Sequence, residues 1–226
     1  MASCSSNPGT GRLTEEQFKQ GIELLVEFSE KFGAGWTLER VERNGRSHCF
    51  MKTSFVEEVT LSSIEEDKLD DDDELSHMLC DVTIDDSIST NVVTSGNRMM
   101  CKFDCHVVHS TSYEVPVLYF NVYKLSGSLL SLDEIWQLVP AEYKQRLLTE
   151  RWTFVTQDQH PVLGCPFYQL HPCHTAKLMS KTFHHQTPST ESSQNIKLAA
   201  CRYIVSWLSA VGPVAFVKLS VDFAQI

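Results

Sequence analysis

The run Tyr113-Glu114-Val115-Pro116-Val117-Leu118-Tyr119-Phe120-Asn121-Val122-Tyr123 carries apolar side chains on both faces of a two-residue repeat. Val115, Val117, Tyr119 and Tyr123 share one face, while Leu118, Phe120 and Val122 share the other. A strand of this kind must be covered on both sides, so it should lie in the middle of its sheet. Pro116 has no amide hydrogen for a ladder, which places it near the strand start or where pairing lapses.

Upstream, Arg98–Val108 reads as a partner strand joined through His109-Ser110-Thr111-Ser112. Further back, Trp36–Arg43 and Arg46–Val56 flank Asn44-Gly45, a dipeptide at ease with positive φ and a strong signal for a two-residue hairpin. Ahead of that hairpin, Thr14 and Gln17 form a capping-box pattern. Phe18, Ile22, Leu25, Phe28 and Phe32 then recur at helical spacing until Gly33.

Downstream, Ser131 and Glu134 repeat the capping box before Ile135, Trp136 and Leu138, and a short helix is expected over Pro140–Leu148. Ile196, Ala200, Tyr203, Ile204, Trp207, Leu208 and Val211 make a wide apolar stripe ended by Gly212-Pro213. Helix, antiparallel β-meander, then helices predicts one α+β domain over residues 1–226. From Glu57 to Asn97 the pattern loosens. The acidic run Glu65–Glu74 repels itself and predicts a solvated insertion, with a short strand expected at Met78–Ile84.

A chain of 226 residues with 42% hydrophobic content can bury a core without disulfides or metal. No stretch of eighteen apolar residues occurs, and Met1–Gly11 lacks the basic start and apolar run of a secretory signal, so a cytoplasmic location without stable membrane insertion is expected. The eight cysteines are expected to remain reduced thiols, most of them small core residues. With 19 basic against 29 acidic residues, net −10, nucleic acid is an unfavourable partner. Tyr119, Phe120 and Tyr123 have no basic surround for base stacking and read as core.

Candidate chemistry gathers in His160-Pro161-Val162-Leu163-Gly164-Cys165-Pro166-Phe167-Tyr168-Gln169-Leu170-His171-Pro172-Cys173-His174-Thr175. Its prolines and glycine predict a pinned, extended path with little regular structure. Cys173 follows Pro172 with His171 and His174 on either side, and a neighbouring imidazolium or a helix N-terminus favours the thiolate. The residues alone leave two readings open: a reactive thiol, or a buried small hydrophobe among loop histidines. Cys165, before Pro166, reads as loop packing.

Other chemistries fit less well. Cys101, Cys105, His106 and His109 have the look of zinc ligands, but on a strand Cys101 and Cys105 point one way and His106 the other. A phosphatase loop needs an arginine six residues past its cysteine, where Met179 stands. A papain-like hydrolase needs a distant base, for which His160 is the candidate. Gly33-Ala34-Gly35 precedes a strand and lacks the further glycine of a phosphate loop, so no cofactor is expected.

Four segments carry a resemblance: Ser112–Phe120, Leu132–Trp136, His160–Gly164 through Leu170–Cys173, and Tyr203–Val214. Through them the chain resembles the autophagy-related protein 10 family, E2-like enzymes for conjugating the ubiquitin-like autophagy-related protein 12. The resemblance implies an E2-like core. It also implies that Cys173 holds the modifier as a thioester, and that autophagy-related protein 7 is the E1-like partner and autophagy-related protein 5 the acceptor. A catalytically inactive E2-like binding module and a cysteine hydrolase are the rival readings. Ubiquitin-type E2 enzymes have a His-Pro-Asn triplet that this chain lacks, and Asn121, expected to be exposed at a strand edge, has two readings, a substitute oxyanion donor or an edge-facing asparagine with no catalytic role.

Overall fold

The computed structural model describes residues 10–43, 45–60, 98–139, 155–183 and 193–226. Helix α1 (Glu15–Phe32) starts on a capping box in which Thr14 accepts from the Gln17 amide and the Gln17 side chain accepts from the Thr14 amide, and it ends at Gly33. Strands β1 (Thr37–Arg43), β2 (Arg46–Thr60), β3 (Arg98–Ser110) and β4 (Val115–Lys124) form the antiparallel meander. Arg43 faces Arg46 across the expected hairpin. Helix α2 (Leu132–Leu138) follows, again on a Ser131–Glu134 capping box.

The loosening expected from Glu57 does not hold for Glu57–Thr60, because β2 runs on to Thr60, paired with Arg98. Phe55 and Val59 alternate inward there and hold that end of the strand to the sheet. The acidic run, the strand expected at Met78–Ile84 and the helix expected at Pro140–Leu148 lie outside the described residues.

A larger correction concerns the histidine- and proline-rich stretch. It contributes strands β5 (Val155–Gln159) and β6 (Pro166–Leu170), which extend the sheet to the order β1-β2-β3-β4-β6-β5. Phe167, Tyr168 and Leu170 are apolar on both faces, and Pro166 sits at the first strand position, where a missing amide hydrogen is tolerated. Helix α3 (Thr175–Phe183) then precedes α4 (Ser193–Val211).

One sheet face carries the main core: Met51, Phe103, Cys105, Leu118, Phe120 and Tyr168 meet Phe18, Ile22 and Leu25 of α1 and Tyr203, Ile204 and Trp207 of α4. Gly21 lets α1 and α4 close up, since a β-carbon there would stand 2.8 Å from Ile204 Cδ1 and 2.9 Å from the Ala200 carbonyl carbon. By length and composition α4 with the turn after it, Gln194–Ala215, is apolar enough to cross a bilayer, but half of its apolar window is buried inside this fold. Ile196, read as part of its stripe, is exposed.

The opposite face holds a smaller cluster of Phe50, Val108, Val117, Tyr119, Val162 and Phe167, closed by the β5–β6 turn. Strand β4 is therefore buried from Val115 to Val122 and lies between β3 and β6, as a strand apolar on both faces requires. Pro116 is its second residue, beyond the β6 pairing at Tyr119 and Phe120. The α+β class and E2-like core with an antiparallel meander expected from sequence are what the structure has.

Candidate functional site

Strand β6 delivers the chain to Cys173. His171 is extended (φ −62°, ψ 127°), and its Nδ1 accepts the Cys173 amide at 3.3 Å. Pro172 supplies the first position of a 3-10 turn, Pro172–His174, where its fixed φ suits a helix start and no amide hydrogen is missed. Thr175 is already right-handed helical, donates its amide to the Pro172 carbonyl, and begins α3. Cys173 thus lies in the first turn of a helical run from Pro172 to Phe183, capped by the histidine before it.

The floor beneath this turn is closely packed. Pro172, Thr175 and Met179 are buried, whereas Cys173 and His174 are exposed. Gly11 lies against α3 with φ 73°, and a β-carbon there would fall 2.0 Å from the Ala176 carbonyl oxygen, so only glycine fits. The Tyr203 hydroxyl donates to the Gly11 carbonyl at 2.7 Å, and the Leu13 amide donates to the Glu114 carbonyl at 2.8 Å. These bonds strap residues 11–13 across the β3–β4 turn, beside the end of β6. From that turn Tyr113 meets the His171 ring edge-on at 5.8 Å.

The six described cysteines are free thiols with sharply different surroundings. Cys101, Cys105 and Cys201 are buried in the main core, and burial raises the pKa of each, that of Cys201 to about 12. Cys49 is half-buried and shifted in the same direction by the same cause. Cys165 and Cys173 are exposed. For Cys165 this corrects the expectation of loop packing: its carbonyl, accepting from the His160 amide at 2.8 Å, closes the turn, and its side chain points outward.

The other candidates fall elsewhere. Cys101 and Cys105 face the main core while His106 enters the opposite face, so these three do not converge on one point. His160, the candidate base for a hydrolase, is completely buried. Its Nδ1 accepts the amides of Val162 and Leu163 and its Nε2 faces His106, so neither nitrogen is offered to a surface thiol. Burial and the adjacent His106 lower its pKa to about 4.

Asn121 is not at an edge. It is 4% exposed because β6, absent from the sequence reading, lies alongside β4. Its Nδ2 donates to the Pro166 carbonyl at 3.2 Å, which ties β4 to the start of β6. Two features have no counterpart in the sequence reading: the Tyr113 ring on His171, next to the candidate thiol, and, away from it on the sheet, the pair Asp104 and His106, whose i, i+2 spacing puts both on one strand face.

Two clefts among the described residues, one lined by Thr182, Arg202 and Phe223 and one by Ser209, Pro213 and Phe216, do not include Cys173. The thiol is presented on the surface, an arrangement suited to a reactant carried by another macromolecule.

A family model described as autophagocytosis associated protein, active-site domain, matches residues 17–220. The ubiquitin-like-conjugating enzyme ATG10 of Homo sapiens is 42% identical over 134 residues, 59% of this chain and 57% of the relative. ATG10 of Arabidopsis thaliana is 40% identical over 123 residues, covering 53% and 51%, and ATG10 of Dictyostelium discoideum 35% over 124 residues, 54% of each. The chain spans about half the length of the curated relatives it matches. The family match runs from α1 through the sheet and the Cys173 turn into the C-terminal segment, and the chain belongs to this autophagocytosis-associated active-site family, within its ATG10 group.

Proposed function

We propose that this chain is an E2-like conjugating enzyme that carries a ubiquitin-like modifier as a thioester on Cys173 and passes it to a lysine of an acceptor protein. The observation that carries this reading is an exposed thiol in the first turn of a helical run, with its amide capped by His171 and its backbone pinned by Pro172. The family resemblance supports the finer assignment: autophagy-related protein 12 as modifier, autophagy-related protein 7 as activating enzyme and autophagy-related protein 5 as acceptor.

In the loading step, the Cys173 thiolate attacks the carbonyl carbon of the modifier's terminal glycine, held as a thioester on the activating enzyme. A new C–S bond forms and the activating enzyme's thiolate leaves, so the exchange is between bonds of similar energy. In the transfer step a neutral lysine amine attacks the same carbon. The C–N bond forms, the C–S bond breaks, Cys173 departs as thiolate, and the proton lost by the amine passes to solvent water.

The tetrahedral intermediates carry negative charge on oxygen, and the positive end of the helical run lies beside Cys173, where it favours such charge. The structural ties of Pro172 and Thr175 hold the sulfur still, which lowers the cost of aligning two large reactants. Transfer to water in place of lysine would need an accessible base, a role for which His160 is unsuited by burial.

Incubation with ATP, the activating enzyme and the modifier is expected to give a covalent adduct that thiol reductant removes. Cys173→Ser should turn it into an oxyester that resists reductant. An adduct that persists on Cys173→Ala would overturn the assignment, and a chain that binds the modifier without forming any adduct would favour the inactive binding module.

A further inference from the structure

The sheet face opposite the helices holds ionisable side chains that the thiol chemistry does not use. Asp104 and His106 lie on one face of β3, and His160 reaches them from the β5–β6 turn. His160 Nδ1 is 3.3 Å from the Val162 amide nitrogen and 3.2 Å from that of Leu163. Amides only donate, so Nδ1 carries no hydrogen and the ring proton sits on Nε2, 3.1 Å from His106 Nδ1. His106 must then accept at Nδ1 and keep its own proton on Nε2, which donates to Asp104 Oδ1 at 3.2 Å.

A single protonation pattern thus satisfies each of these atoms. It runs from two backbone amides through two neutral rings to a carboxylate that is 32% exposed. An extra proton on His160 Nδ1 would face two amide hydrogens, and one on His106 Nδ1 would face the His160 Nε2 hydrogen. Phe50, Tyr119 and Phe167 surround the rings, with centroids 4.9 to 5.2 Å from one or both of them. Lys52 and Lys102 lie near Asp104, Arg43 donates to the Val162 carbonyl, and Asp158 faces Tyr119.

This chain of bonds connects the centre of β3 to the turn from which β6 starts. β6 is paired with β4 at two register positions, Tyr119 with Gln169 and Phe120 with Tyr168, so its alignment depends on that turn. Its other end runs directly into His171-Pro172-Cys173. We propose that Asp104, His106 and His160 are positioning residues that fix β6, and through it the Cys173 turn, for acyl transfer; this rests on the thiol reading above.

The test compares single-turnover charging of Cys173, with ATP, activating enzyme and modifier, in the wild-type chain, His160→Ala and His160→Asn. Asn keeps an acceptor oxygen where Nδ1 stood. His160→Ala should lose about tenfold or more in rate with affinity for the activating enzyme unchanged, and His160→Asn should recover most of that loss. Charging of His160→Ala at the wild-type rate overturns the proposal.

A second measurement is independent of activity and of variant folding. Nitrogen-15 spectra of the wild-type imidazoles should show His160 unprotonated at Nδ1 and protonated at Nε2 from pH 8 to 5, with the Val162 and Leu163 amides protected from exchange. A His160 ring that titrates near the ordinary histidine value, with those amides unprotected, also overturns it. A wild-type chain that never charges while its rings show the expected pattern overturns the thiol reading and the positioning role with it, and leaves the hydrogen-bond chain standing.

Discussion

His160-Pro161 and His171-Pro172 begin with the same local device and end as different objects. In each, the imidazole Nδ1 accepts the amide two residues on, Val162 in one case and Cys173 in the other, both at 3.3 Å. The second nitrogen of His160 is met by His106 inside the sheet, and the ring is fully buried. His171 is half-buried and shows its ring to Tyr113 at the surface. One turn becomes a brace and the other a mount for an exposed thiol. The local hydrogen bond fixes the shape of a His-Pro turn, and what packs around it fixes its use.

The two exposed cysteines give the sharpest break of this comparison. Cys173→Ala should reduce adduct formation to background, a loss of about a thousandfold or more, because it removes the sulfur that holds the acyl group. Cys165→Ser should keep the rate within about threefold, since the turn uses the Cys165 carbonyl and not its sulfur. Charging measured on denaturing gels without reductant decides it, and loss of the adduct in Cys165→Ser would reverse the roles of the two turns.

The histidines should differ next. His160→Ala removes the acceptor for one buried and one part-buried amide and opens a cavity among Phe50, Tyr119 and Phe167, so urea denaturation should show a loss of about 3 kcal/mol. His171→Ala, with one cap bond near solvent, should cost about 1 kcal/mol or less. Equal costs would mean that burial does not separate the two turns.

Acid should act on the brace first. The pKa of His160 in the folded chain, about 4, lies below its ordinary 6.5, so the unfolded chain binds more protons between those values. This contribution to stability is complete above about pH 6.5 and is lost as pH falls toward 4, on the order of 3 kcal/mol. The pKa of Asp104 is lowered, against the effect of its burial, by its bond to His106, and its contribution is lost further down, below the ordinary carboxylate value of 3.8. Chemical denaturation at pH 7 and at pH 5 should show the decline, and His160→Asn should flatten it. An unchanged decline in that variant would place the titrating group elsewhere.

Which parts of this were legible in the sequence follows from the range of the forces involved. The meander and α1 were readable because two-residue and helical repeats, capping boxes and Asn44-Gly45 are local signals. Strands β5 and β6 were not, because Pro161, Gly164 and Pro166 punctuate them as they would a loop, and pairing with β4 is what makes them strands. Asn121 was misplaced for the same reason, its cover being the strand that went unread. Cys173 stood out through its neighbours and the family resemblance, while the contact of His106 with His160 spans 54 positions and has no local signature.

The prolines should produce the smallest effects, and their ratio is informative. Replacing either by alanine frees the unfolded chain, which costs about 0.4–1 kcal/mol. At Pro161, which is exposed, little else is lost. At Pro172 the ring is buried at the head of the helical run, and without it His171 gains access to helical backbone angles, so the start of the helix slips relative to the sulfur. Pro172→Ala should therefore lower stability by about 1–1.5 kcal/mol and slow charging a few-fold, while Pro161→Ala should lower stability by about 0.5 kcal/mol and leave charging unchanged. A slower reaction in Pro161→Ala than in Pro172→Ala would mean that the buried turn, and not the turn bearing the thiol, sets where the sulfur stands.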